Sequence, residues 1–188
     1  MMKKKEKTVT TETTETTVIK KASKPYDAFE NQAEAGRMLL DLLYDDLSCE
    51  NEVILGMEGA GAVVAEPVAR GLKSPLHIIN DGRQPAFNSE FPLIEGRCAV
   101  LVDDGSINPA VLDLTIELIR SMNPAELHFC VPVFPSPVMK EISTSFDRIY
   151  CLVLQEEPPF CAAHFYRNER EAYEKEKENR KIEETICQ

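Results

Sequence analysis

The chain has 188 residues, 43% of them hydrophobic, with 21 Lys and Arg against 32 Asp and Glu and a formal net charge of −11. That length supports one good core rather than two, and the acidic balance argues against nucleic acid, which needs clustered Lys and Arg. No apolar run approaches a membrane span and the start lacks the apolar region of a signal peptide, so a cytoplasmic protein without membrane contacts is expected.

Residues 1–24 open MMKKKEK and continue TVTTETTETTV, a Lys- and Thr-rich stretch without an apolar face, and a disordered tail is expected there. The folded domain is placed at 25–166 and a charged C-terminal helix at 167–188, where Glu and Lys or Arg often stand four apart. A first helix is predicted over 28–47, because Phe29, Ala33, Gly36, Leu40, Leu43 and Leu47 alternate steps of four and three and Asp27 with Glu30 can form a capping box. Strands follow at about 52–56, 75–80, 97–103, 126–133 and 148–154, with helices near 61–72, 109–122 and 136–144 between them. The alternation gives the fold class: α/β, a doubly wound, mainly parallel sheet of about five strands in three layers. Pro67 falls inside the second of these helices, where a proline costs about 3 kcal/mol, so that helix is expected to start late or bend.

Residues 99–111 read AVLVDDGSINPAV. The run 99–102 suits a buried strand of a parallel sheet, and Leu112, Ile116, Ile119 and Met122 then recur at helical spacing. In open α/β sheets ligands sit beyond the carboxyl ends of strands, where a helix N-terminus offers unpaired N–H groups to an anion. The turn carrying Asp103, Asp104, Gly105, Ser106, Asn108 and Ala110 is therefore the first candidate site. Two adjacent carboxylates at a strand end have no obvious packing role. Asn108-Pro109 also reads as an ordinary helix start, since Asn is a favoured N-cap and Pro a favoured first helical residue.

The VDDG start resembles the signature of the type I phosphoribosyltransferases, in which a strand leads into two acidic residues and a Thr-Gly-x-Thr loop. The resemblance covers roughly residues 27–168. Phe29, Ala35 and Gly36 in FENQAEAG are similar to the opening helix of one branch, and VILGMEGAGAVVAEPVA to its first strand and pyrophosphate loop. VPVFPSP, FDRIYCL, and Pro159, Phe160, Phe165 and Tyr166 in PPFCAAHFY add further matches in the same order. The resemblance implies a phosphoribosyl or nucleotide ligand, with Asp103 and Asp104 holding the ribose hydroxyls of phosphoribosyl pyrophosphate and residues 108–111 at its 5′-phosphate. It also implies a pyrophosphate loop at Glu58, Gly59, Ala60 and Gly61, Mg²⁺ as the companion of a diphosphate ligand, and His164 on the side that receives the acceptor.

Several positions depart from that pattern. The Thr-Gly-Ala-Thr positions are Asn108, Pro109, Ala110 and Val111, so two hydroxyls are gone and Pro109 has no N–H to give. The family usually carries an Arg where this chain has Gly59, and Glu58 beside it adds a negative charge. Asn80-Asp81 stand where Arg-Lys is common, and Asn31-Gln32 where Asp-Arg is usual. Between the second and third core strands the family has a longer segment with a loop that closes over the substrate, whereas only 81–97, with Arg83 as a cation within reach, fills that gap here.

Charge points the same way. The segments 1–24 and 167–188 hold 7 and 6 of the basic and 3 and 7 of the acidic side chains, which leaves 8 basic and 22 acidic, a net charge of about −14, for residues 25–166. The six cysteines lack a C-x-x-C pair and read as small buried residues in a reducing compartment rather than as zinc ligands or disulfides. His77 and His128 lie in or beside apolar strands and read as structural.

The expected function is a divergent phosphoribosyltransferase-fold domain with weak or lost transferase activity that binds a ligand or a partner protein as a homo- or hetero-oligomer. One alternative is an active, Mg²⁺-assisted phosphoribosyltransferase with an unknown acceptor. Another is an acidic structural subunit paired with an active homologue.

Overall fold

A computed structural model describes residues 9–13, 18–22, 29–44, 46–47, 51–80, 93–158 and 161–169. In chain order the elements are β1 (Val9–Thr13), β2 (Val18–Ala22), α1 (Gln32–Leu43), β3 (Glu52–Met57), α2 (Ala60–Leu72), β4 (Leu76–Ile79) and β5 (Cys98–Val102), then α3 (Pro109–Ser121), β6 (Glu126–Pro135), α4 (Ser136–Ile142) and β7 (Arg148–Gln155). Short 3₁₀ turns cover Ser143–Ser145 and Ala162–Phe165. Among the described residues no helix is long and apolar enough to cross a membrane.

The core of the sheet is five parallel strands in the order β4-β3-β5-β6-β7. Both of its faces are covered, so the strands read as apolar runs: Val53, Ile54, Leu55, Ala99, Val100, Leu101 and Val102 are all fully buried. Alternation divides them between two cores. Val53, Leu55, Leu101 and Phe129 pack with Leu112, Ile116 and Ile119 of α3 and Met139 of α4. Ile54, Val100, Val102 and Cys130 pack with Leu39 and Leu43 of α1 and Val64 and Val68 of α2. The chain leaves β3 toward one edge through α2 and β5 toward the other through α3, and right-handed crossovers in opposite directions place those helices on opposite faces. The carboxyl ends of β3 and β5 therefore flank the topological switch point, where a crevice opens in such sheets.

Two expectations are corrected. Within 1–24 the structure has strands in place of a disordered tail: β2 adds to the sheet parallel to β7, pairing Val18–Lys21 with Arg148–Cys151, and β1 pairs antiparallel with β2. Thr and Val are β-branched and suit a strand, a preference that the low complexity of the stretch disguises. The first helix also starts later than expected. Its N-cap is Asn31, whose Oδ1 accepts the Glu34 N–H at 3.0 Å while the Glu34 carboxylate accepts the Glu30 N–H at 2.6 Å. The reciprocal cap thus sits four residues beyond the Asp27–Glu30 pair, and Asp27 lies outside the described residues. Ala35, Leu39 and Leu42 take core positions, and Ala33 and Leu40 are only half-buried. Residues 170–188, most of the expected C-terminal helix, lie outside the described residues.

Pro67 does not delay the start of α2; the helix runs Ala60–Leu72 with the proline buried inside. Its ring lies against α1 at Gly36, where an added Cβ would come 2.6 Å from Pro67 Cγ and 2.2 Å from the Val64 carbonyl oxygen. Helix propensity favours alanine over glycine by about 1 kcal/mol, but overpacking costs typically 1–3 kcal/mol. Gly36→Ala is therefore expected to lower the urea midpoint. A midpoint that rises would show that α1 and α2 are not held this closely.

Candidate functional site

Two turns meet at the switch point. After β3 the chain passes through Glu58 and Gly59 into α2. Gly59 has φ +82°, a left-handed conformation that favours glycine, and as N-cap it offers no side chain to the first N–H groups of α2. Glu58 is exposed, and its N–H donates to the Ile79 carbonyl of β4 at 2.9 Å. An added Cβ on Gly61 would meet Met57 Cβ at 2.8 Å and Asp103 Oδ1 at 2.9 Å. Gly61 thus lets the first turn of α2 close against Asp103, so the structure brings together the two stretches singled out in the sequence.

The second turn follows β5. Asp103 is half-buried and Asp104 is buried, and the Asp104 carboxylate accepts the Ser106 N–H at 2.9 Å and the Ser106 hydroxyl at 3.1 Å. Gly105 has φ +100°, and a Cβ there would lie 2.5 Å from the Val133 carbonyl oxygen. No other residue fits that turn without moving β6. Burial, reinforced by the adjacent Asp104 charge, pushes the Asp103 carboxyl up to about 7.

At the start of α3 Asn108 acts as the helix N-cap. Its side-chain oxygen accepts the Ala110 N–H at 3.1 Å and the Val111 N–H at 3.4 Å, with Pro109 in the first turn. Of the N–H groups that a phosphate would use there, one is absent and two are occupied by the protein's own carboxamide. The start of α2 has no such cap.

A third segment, 161–169, closes the turn from behind. The Tyr166 hydroxyl donates to the Asp104 carbonyl oxygen at 2.6 Å, and its ring lies against Phe29 with centroids 5.6 Å apart. Phe29 N–H donates to Phe165 O at 2.7 Å and Arg167 N–H to Phe29 O at 2.8 Å. Gln32 hydrogen-bonds Asn168 and Glu169, and Arg167 pairs with Glu30. Asn31 and Gln32, which replace the family's usual Asp-Arg, thus cap α1 and dock this segment. Tyr166 matches the family in sequence without revealing its task; its hydroxyl partner is 62 residues away in the chain. His164 is exposed on the same segment, two residues beyond Ala162, whose Cβ stands 3.4 Å from the position a Gly105 Cβ would take. Asp81, Arg83, Pro159 and Phe160 lie outside the described residues.

The site is thus a pair of acidic turns with one uncapped helix start, one capped helix start, and a carboxyl that resists ionisation. Between the ordinary Asp value near 4 and its raised value near 7, the folded state holds a proton on Asp103 that the unfolded chain releases. Stability from this group is therefore complete below that window and falls as pH rises through it. Asp103→Asn is expected to raise the unfolding free energy at pH 8 by up to roughly 4 kcal/mol and to leave it nearly unchanged at pH 4. Denaturant curves at the two pH values check this, and an equal effect at both would remove the titration as its cause.

No protein-family profile matches the chain. Over 118 residues it is 30% identical to a protein named transcriptional regulator GfcR from Haloferax volcanii, a match that covers 57% of this chain and 55% of that one. The chain thus spans about half the length of this curated relative. In structure it is similar to the protein TT1426 from Thermus thermophilus, with a TM-score of 0.63 at 20% identity over 74% of this chain and 90% of that one. It is also similar to the APRTase of Giardia lamblia complexed with 9-deazaadenine, with a TM-score of 0.53 at 16% identity over 66% and 80% of the two chains. A hypoxanthine-guanine phosphoribosyltransferase of Bacillus anthracis aligns with a TM-score of 0.52 at 18% identity over 77% and 92%. The parallel sheet, its strand order and these likenesses agree: the chain has the α/β fold of the type I phosphoribosyltransferases.

Proposed function

We propose that this phosphoribosyltransferase-fold domain binds a ligand or a partner protein at the carboxyl ends of β3 and β5 and has lost efficient glycosyl transfer. The observation that carries this reading is the Asn108 cap, which occupies the donors a 5′-phosphate would need. Transfer depends on holding both phosphate ends of the donor substrate while the bond at the sugar carbon breaks. Glu58 at the other helix start repels the pyrophosphate end at close range.

Asp103 and Asp104 still supply oxygen acceptors for a sugar diol, and the uncapped start of α2 still offers N–H groups. The ligand class this favours is a ribose-bearing molecule with little or no negative charge facing Asn108. Mg²⁺ would enter with a diphosphate ligand, as the family likeness implies, and would offset part of the acidic field. The resemblance to a transcriptional regulator supports a sensing or partner-binding role over a metabolic one. DNA contact by this domain is disfavoured by its net charge of about −14, read from the sequence of residues 25–166.

The test is calorimetric titration of the full chain with phosphoribosyl pyrophosphate and Mg²⁺, beside the variant with Asn108→Thr, Pro109→Gly and Val111→Thr, which restores the family loop. The wild type is expected to bind weakly or not at all, and the restored loop to gain at least about tenfold in affinity, equivalent to 1.4 kcal/mol. Tight binding by the wild type that Asp103→Asn with Asp104→Asn abolishes, with acceptor-dependent release of diphosphate, would reinstate the enzyme.

A further inference from the structure

A second group of reactive side chains lies at the opposite, N-terminal edge of the sheet. The parallel register sets Glu52 of β3 beside Cys98 of β5 and Cys98 beside Glu126 of β6, and His128 stands two residues further along β6. Paired and alternate residues share a face, so all four belong to the side covered by α1 and α2. Cys98 Sγ lies 3.6 Å from Nδ1 and 3.9 Å from Nε2 of His128, and His128 Nε2 is 2.7 Å from Glu126 Oε2. One donor atom from each of Cys98, Glu126 and His128 falls within 4.8 Å of the other two.

These are distances a metal can use. In a tetrahedral zinc site, bonds of about 2.0–2.3 Å place donor atoms roughly 3.3–3.6 Å apart. Through Nε2, the nitrogen that Glu126 reaches, the sulfur stands at 3.9 Å and has to close in by roughly 0.3 Å, a small rotation of the Cys98 side chain. The hydrogen bond between Glu126 and His128 must open by roughly 0.6 Å, which the Glu126 side chain, 49% exposed, can do by rotation. His128 is 1% exposed and its ring is held near Tyr150, with centroids 5.9 Å apart, so one ligand is fixed in place. Burial and the Glu126 and Glu52 carboxylates push the thiol up to about 12, so a cation must displace its proton. Arg148 opposes that cation, while Glu52, Glu126 and Asp147 favour it.

The geometry points to a zinc-type site formed by Cys98, Glu126 and His128, with solvent on the Glu126 side as the fourth ligand. Thiolate, imidazole and carboxylate together select zinc over magnesium or calcium. The ion would join β5 to β6 at the end of the sheet away from the β3 and β5 carboxyl ends, which makes it independent of any phosphoribosyl ligand. Sequence spacing did not reveal it, because the three residues are brought together by strand register rather than by a short motif.

Titrating the full chain with Zn²⁺, and with Co²⁺ as a spectroscopic substitute, tests the assignment. One equivalent is expected to bind, with a thiolate-to-cobalt charge-transfer band in the near ultraviolet and a rise in melting temperature with Zn²⁺. Cys98→Ser is expected to abolish the band, and Glu126→Gln, a change at an exposed side chain that leaves the fold intact, to weaken Zn²⁺ by at least about tenfold. Cys161→Ser should change neither. A folded wild type without the band, or an affinity unaltered by Glu126→Gln, would overturn the site.

Discussion

The turn after β5 depends on one constraint, the close approach of its backbone to β6 on one side and to Tyr166 on the other. Gly105 lies against the Val133 carbonyl where no Cβ fits, and the Tyr166 hydroxyl holds the carbonyl of the residue before it. Tyr166 in turn is fixed by Phe29 and by backbone hydrogen bonds that join 165–168 to the start of α1. The acidic pair therefore rests on a rigid scaffold drawn from the beginning, middle and end of the domain. Such rigidity is what a binding site needs in order to avoid an ordering cost each time a ligand arrives.

Holding the acids there has a cost. Asp103 is kept partly out of water beside Asp104, and the Ser106 N–H and hydroxyl donate to Asp104 rather than to Asp103. Two acids held where burial and a neighbouring like charge oppose ionisation agree with the binding role proposed for this turn. The start of α3 has gone the other way. There Asn108 and Pro109 satisfy the helix end from within, which adds about 1 kcal/mol of stability and takes up two N–H groups. The two helix starts facing the switch point thus differ in what they can bind, and the open one at α2 sits behind Glu58.

Periodicity located the five core strands and the three helices between them to within two residues or so, because each is a long apolar pattern whose burial is dictated by a sheet covered on both faces. It failed where local signals compete. The Thr-rich N-terminal stretch has strand propensity but no apolar alternation, and only an available sheet edge at β7 gives it a partner. At α1, two cap pairs lie four residues apart, and the choice of Asn31 is made by docking of Gln32 on the 161–169 segment. Pro67 looked like a defect and is instead matched by the missing side chain of Gly36 on the neighbouring helix.

By itself the sequence determined the α/β class, the order of the elements, the acidic character of the domain and the position of the acidic pair after a buried strand, since each of these is encoded within a few neighbouring residues. Tertiary structure decided the rest. That Gly61 brings α2 against Asp103, that Tyr166 reaches Asp104 across 62 positions, and that Cys98, Glu126 and His128 converge are consequences of strand order and register. Register sets which side chains share a face across neighbouring strands, and no local pattern specifies a partner on another strand.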